Sequence, residues 1–109
     1  MLPSAHRLRR SADFSRVVRE GRRTASPTLV LHTLDLGGAE PTRVGFVVSK
    51  AVGGAVVRNR VRRRLRHLAL ALLTTPGRAF VIRANPAAAR ATSALLRSDL
   101  DRCVRKAMS

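Results

Sequence analysis

The stretch RVGFVVSKAVGGAVVRNRVRRRLRHLALALL, residues 43–73, changes its hydrophobic period partway along. Arg43 to Ser49 is mostly β-branched or aromatic and reads as a strand. KAVGG, residues 50–54, turns the chain. From about Gly54 to Leu73 the period becomes helical: Val57, Val61, Leu65, Leu68 and Leu72 recur at spacings of 4, 4, 3 and 4. At roughly 100° per residue these side chains share one ~80° sector, the apolar seam of an amphipathic helix. TTPG, residues 74–77, ends the helix, and RAFVIRA, residues 78–84, reads as a further strand. A helix between two strands predicts a βαβ crossover. The fold class is therefore α+β, a small sheet with helices packed on it.

The same helix carries a charge anomaly. Six of the nine residues from Arg58 to Arg66 are arginine and none is acidic. Like charges three or four apart on a helix repel by about 0.2–0.5 kcal/mol each. The pairs 58/62, 60/64, 62/66, 60/63 and 63/66 all do so, roughly 1–2 kcal/mol together. Ordinary solvated helix faces mix signs and gain i,i+4 support instead. Here Asn59, Arg62, Arg63 and Arg66 fall opposite the seam, and Arg58 and Arg64 flank it. Guanidinium forks bind phosphate oxygens bidentately, and asparagine both donates and accepts. The face predicts a polyanionic partner, with DNA and RNA equally suited on electrostatics.

Outward from this core, Ser11 is placed to cap a helix that begins at Ala12, with Asp13 favourable against its dipole and Gly21 as its stop. Phe14, Val17 and Val18 form its apolar face. SPTLVLHTLD, residues 26–35, reads as a strand and LGGAEP, residues 36–41, as a loop. The strand at 43–49 is therefore expected to pair with it as a hairpin. Beyond Pro86, Thr92 or Ser93 caps a last helix with Leu95, Leu96, Leu100, Cys103 and Val104 apolar. No repeat or linker divides residues 1–109, which read as a single domain with residues 1–10 expected to fray.

Composition narrows the function. A chain of 109 residues, 45% hydrophobic, can bury one modest core. Its 22 basic residues against 6 acidic ones leave a net charge of +16, and Pro41 to Ser98 contains no acid. Such a cation attracts a polyanion. The acids are scattered, with no paired carboxylates for acid–base work. His6, His32 and His67 have no partner at metal-ligand spacing, and GGAVVRN lacks the Walker spacing and lysine. A self-sufficient enzyme with a small-molecule substrate is not expected. Cys103 reads as a core thiol without a disulfide partner, which fits the cytoplasm. The longest aliphatic run, LALALL at 68–73, is far short of the ~20 residues of a membrane span, and no signal peptide is expected. A cationic membrane binder is disfavoured, because the seam is needed by the sheet and tryptophan is absent. With three phenylalanines and no tyrosine, stacking platforms reduce to Phe14, Phe46 and His32 at most. Phe46 and Phe80 read first as core.

KAVGGAVVRNRVRRRLR, residues 50–66, resembles the protein subunit of bacterial ribonuclease P. The resemblance is carried by Lys50, Gly53, Ala55-Val56, Arg58-Asn59-Arg60, and then Arg62, Arg63 and Arg66. RVGFVVSK before it is similar to the family's preceding strand, and LRRSADFSRVVREG, residues 8–21, to its first helix. The resemblance spans about residues 7–106. It implies a mixed four-stranded sheet with three helices, as in the second domain of a small-subunit ribosomal protein. The extra strand would lie near Arg23 to Ala25, and the βαβ crossover would be left-handed, against the usual rule. It implies the non-catalytic subunit of an endoribonuclease. The RNA subunit, with Mg2+, hydrolyses precursor tRNA, and the protein alone holds no cofactor. It implies that Lys50, Arg58, Asn59, Arg60, Arg62, Arg63 and Arg66 contact ribonuclease P RNA. A cleft between the first helix and the sheet, with Phe14, His32, Phe46 and Arg10, would bind the single-stranded 5′ leader. His32 falls where relatives can carry a tyrosine, and Val18 where a second aromatic can occur. Gly54 and Ala51 replace an asparagine and a basic residue common in the family. A ribosomal-type structural RNA-binding protein is the alternative. The ordered RNR motif after VGFVVSK favours ribonuclease P.

Overall fold

The computed structural model describes residues 2–109. The chain runs α1 (Ser11–Glu20), β1 (Arg22–Ala25), β2 (Leu29–Asp35), β3 (Arg43–Val47), α2 (Ala55–Ala69), β4 (Arg78–Ala84) and α3 (Ser93–Met108). Short 3₁₀ turns occupy Ser4–His6, Leu70–Thr74 and Pro86–Ala89. The sheet order is β1-β2-β4-β3; β1–β2 and β2–β4 are antiparallel and β3–β4 is parallel. The mixed four-stranded sheet, the crossover through α2 and the strand at Arg22–Ala25 all follow the expectation.

The expected hairpin does not form, because β4 lies between β2 and β3. Burial explains the choice. Ala79, Phe80, Val81 and Ile82 are at most 1% exposed. A strand covered on both faces reads as an unbroken apolar run. β3 opens on the exposed Arg43 and contains Gly45, so it suits an edge.

Alternation along the strands makes three layers. Leu29, Leu31, Val44, Phe80 and Ile82 form the large core with Val61, Leu65 and Leu68 of α2 and Leu96, Leu100 and Cys103 of α3. On the other face Ala79 and Val81 meet Leu8 and Val17, with Phe14, Leu34 and Val47 half-buried beside them. The seam of α2 behaves as its spacing requires: Val61 and Leu65 are fully covered, and Leu72 stays buried where the helix tightens into a 3₁₀ turn.

Local details depart from the sequence reading in instructive ways. Helix α1 begins at Ser11, with Arg10 at the capping position and no side-chain cap. Gly21 is needed for close approach: a Cβ there would lie 2.4 Å from the Val17 carbonyl oxygen and 2.7 Å from that of Thr33. Thr92, not Ser93, caps α3, its Oγ1 accepting the Leu95 N–H at 3.1 Å. Leu95 itself lies outside the apolar stripe, exposed. The fraying expected over residues 1–10 gives way, from Leu2 onward, to a packed strap. Leu2 and Leu8 are buried, and Arg7 bridges to Val44. The Leu8 N–H donates to the Val44 carbonyl at 3.1 Å. The strap covers part of the edge that β3 would otherwise expose. On the opposite side Asp99 of α3 is buried, and its Oδ2 accepts from the Thr28 N–H at 3.2 Å and the Thr28 hydroxyl at 2.6 Å. No helix among the described residues is long and apolar enough to cross a membrane.

Candidate nucleic-acid interface

Burying the seam of α2 turns its opposite face outward. Asn59 and Arg63 are exposed, and Arg62 and Arg66 are half-buried beside them. Lys50 is exposed in the turn that leads into the helix, and Val56 at its start is 80% exposed. Among the described residues the one ion pair is Arg16–Glu20 on α1, at 3.7 Å. The ridge therefore faces outward without an acidic partner, and the Nε atoms of Arg58, Arg60 and Arg66 are buried without a hydrogen-bond partner.

Two of the six arginines have a structural task that the sequence reading missed. Arg60 Nη2 donates to the Ala89 carbonyl and Arg64 Nη1 to the Ala91 carbonyl, each at 3.0 Å. One turn apart, they fasten α2 to the segment after β4. A hydrogen bond from a charged donor contributes about 1.5–3 kcal/mol, so these two arginines stabilise the packing of α2 while the like-charge repulsion along the run persists. The available signal was angular: at ~100° per residue both lie next to the seam.

Two concavities flank Phe14. The first, about 310 Å³, lies between α1 and the sheet and is lined by Phe14, Val18, Arg19, His32, Val81 and Arg83 among others. His32 stands in register between Arg23 and Val81. Its ring is buried and its Nδ1 has no partner. Burial first, and then the charges of Arg23 and Arg83, hold its pKa below the ordinary histidine value. The imidazole is thus kept neutral, with one nitrogen to donate and one to accept. Val18, 47% exposed, supplies an aliphatic wall.

The second concavity, about 590 Å³, is lined by Phe14, Phe46, Leu8 and Gly45, with Arg62 and Arg66 of α2 and Arg7 and Arg9 of the N-terminal strap. Gly45 admits the phenyl ring: a Cβ there would lie 2.4 Å from both Cε1 and Cζ of Phe14. Of the four expected cleft residues, Phe14 and His32 share the α1 groove. Phe46 does not, because a strand alternates its side chains and Phe46 packs on the large core on the α2 side. Arg10 lines neither of these; it borders a third concavity, of about 490 Å³, with Arg7, Arg9, Asp13 and Arg43.

A magnesium ion needs oxygen ligands in near-octahedral array. Among the described residues no three of His, Cys, Asp and Glu gather to hold a metal, and guanidinium groups cannot coordinate one.

The family model for Ribonuclease P matches residues 2–108 of the chain. The ribonuclease P protein component of a Nocardioides species is 53% identical over 108 residues, covering 95% of this chain and 92% of that protein. The ribonuclease P protein component of Streptomyces bikiniensis is 51% identical over 117 residues, covering 97% and 94%. Among solved structures, a Staphylococcus aureus RNase P protein mutant with defective mRNA degradation activity superposes with a TM-score of 0.86 at 27% identity, covering 95% of this chain and 89% of that one.

Proposed function

The chain belongs to the ribonuclease P protein family, and from that premise we propose that it holds the 5′ leader of precursor tRNA beside a catalytic RNA that performs the cleavage. As a ribonuclease P protein component it works with the ribonuclease P RNA. In this reading Asn59, Arg62, Arg63 and Arg66, with Lys50 and Arg58, seat phosphates of that RNA. Arg60 contributes the donors it does not give to Ala89. The α1 groove takes the leader, with Phe14 offering a ring face and neutral His32 a donor and an acceptor. Its magnesium ions sit on the RNA, and the complex works in the cytoplasm.

The observation that supports this most is the ridge itself, acid-free and held outward by a buried seam, one aromatic wall away from a groove on the other sheet face. Bound RNA phosphates between the arginines relieve their repulsion, which accounts for a charge run that disfavours the free helix. The test is reconstitution with a ribonuclease P RNA and a precursor tRNA at low magnesium. The chain should rescue leader cleavage, whereas a ribosomal-type structural protein would leave the RNA inactive. Replacing Arg62, Arg63 and Arg66 with glutamine should flatten the salt dependence of RNA-subunit binding by about 0.7–0.9 per lost phosphate contact. An unchanged slope would remove this face from the interface.

A further inference from the structure

We propose that the 590 Å³ cavity between the N-terminal strap, the edge of β3 and helix α2 is a pocket for one unpaired nucleotide of the RNA subunit. The inference rests on the reading that the α2 ridge seats that RNA. The size lies within the roughly 300–1,000 Å³ of small-ligand sites. The chemistry divides cleanly. Leu2, Leu8, Phe14, Val44 and Phe46 make an apolar floor, and four guanidinium groups stand around it with no acid among the lining residues. Inorganic phosphate would leave that floor empty, and an apolar peptide would leave four cations unanswered. A base-paired duplex would present no free base face. An extruded nucleotide satisfies both parts, its base against the rings and its phosphate on arginine.

The geometry points to the RNA subunit as the source. Arg62 and Arg66 sit one turn apart on the same helix face as the rest of the ridge. A strand seated on the ridge enters the cavity without crossing the sheet. The cavity wraps the β3 edge, whereas the groove that holds His32 lies on the α1 face of the sheet and shares only Phe14 with it. The pocket is built before the ligand arrives, because the Arg7–Val44 bridge and the Leu8 N–H bond hold the strap in place. Aromatic faces accept any base, so the pocket selects an unpaired nucleotide and not a sequence.

Titrating the full chain with adenosine 5′-monophosphate, and separately with ribose 5-phosphate, while following backbone amide resonances tests this. The amides of Leu8, Gly45 and Phe46 should respond to the nucleotide, with ribose 5-phosphate binding about tenfold more weakly for want of a stacked base. Phe46→Leu should weaken the nucleotide alone, and Arg62→Gln with Arg66→Gln should weaken both. Equal affinities would reduce the cavity to a phosphate patch and overturn the proposal. Responses confined to Val81 and Arg83 would place the nucleotide in the other groove and also overturn it. In the reconstituted complex, a photoreactive group on Arg9→Cys should cross-link to the RNA subunit; cross-linking to the leader instead would refute the assigned source. Cavity responses in a chain that fails to rescue cleavage would separate failure of the earlier reading from failure of this one.

Discussion

Gly45→Ala probes the aromatic wall common to both concavities without touching a charge. The new Cβ would lie 2.4 Å from two Phe14 ring carbons, against an ordinary contact of about 3.5–4.0 Å. The ring must retreat by roughly 1.1–1.6 Å to restore that contact. Phe14 is half-buried and turns about its Cα–Cβ and Cβ–Cγ bonds, so the ring swings toward solvent and the backbone stays. Exposing about 50 Å² of ring at ~25 cal/mol per Å² costs about 1 kcal/mol. Leu8 Cβ, at 3.1 Å from the new atom, adds some tenths through overpacking. A loss of this size lowers Tm by roughly 4–8 °C and leaves a domain of ~5–15 kcal/mol stability folded. Leader affinity should fall much further in proportion, because a displaced ring forfeits a stack of about 1–3 kcal/mol, or about 5- to 150-fold. The assay is the difference in binding between precursor and mature tRNA in the reconstituted complex, alongside a thermal melt. In a Phe14→Ala background the same glycine change should be nearly neutral for both, within about 0.5 kcal/mol. Additive losses in the double variant, or an unchanged leader affinity in the single one, would refute the reasoning.

Asp99→Ala should cost about 2–5 kcal/mol in chemical denaturation, because it strands the Thr28 N–H and hydroxyl without an acceptor. Asp99→Asn, which keeps an oxygen where Oδ2 accepts both bonds, should cost about 1 kcal/mol; equal losses would show that the hydrogen bonds are not what matters. Arg64→Met should lower stability by about 1–3 kcal/mol, the lost charged bond to Ala91 less the relieved repulsion with Arg60, and leave the salt dependence of RNA binding unaltered. A flattened slope would put Arg64 in the interface. For His32, the unfolded chain takes up a proton near pH 6.5 while the folded ring, with its lowered pKa, does not. Its contribution is therefore intact above about pH 6.5 and declines as the pH falls below it. Melting curves of His32→Gln should show a shallower acid decline than the parent chain, and matching declines would contradict the buried neutral ring.

By itself the sequence determined whatever depends on local period and composition. The seam from Val57 to Leu72 specified an amphipathic helix, the β-branched runs specified three strands, and the acid-free arginine run specified a polyanionic partner, because these signals lie within a few residues of one another. The resemblance put the fourth strand near Arg23 to Ala25, within a residue of the observed Arg22–Ala25, where the residues alone are too polar to announce it. Tertiary structure decided what depends on partners distant in the chain. Phe80 and its neighbours win the sheet interior from β3 by being covered on both faces, a gain that appears only once α1 and α2 dock. Arg60 and Arg64 look like the rest of the ridge until the carbonyls of Ala89 and Ala91, more than twenty residues on, arrive beneath them. On residue type alone Phe46 reads as a partner of Phe14 in the leader cleft, because both are aromatic. The alternation of an edge strand sends it to the opposite face, and only the strap folded across the β3 edge brings Leu2 and Leu8 around a cavity that local sequence could not foresee.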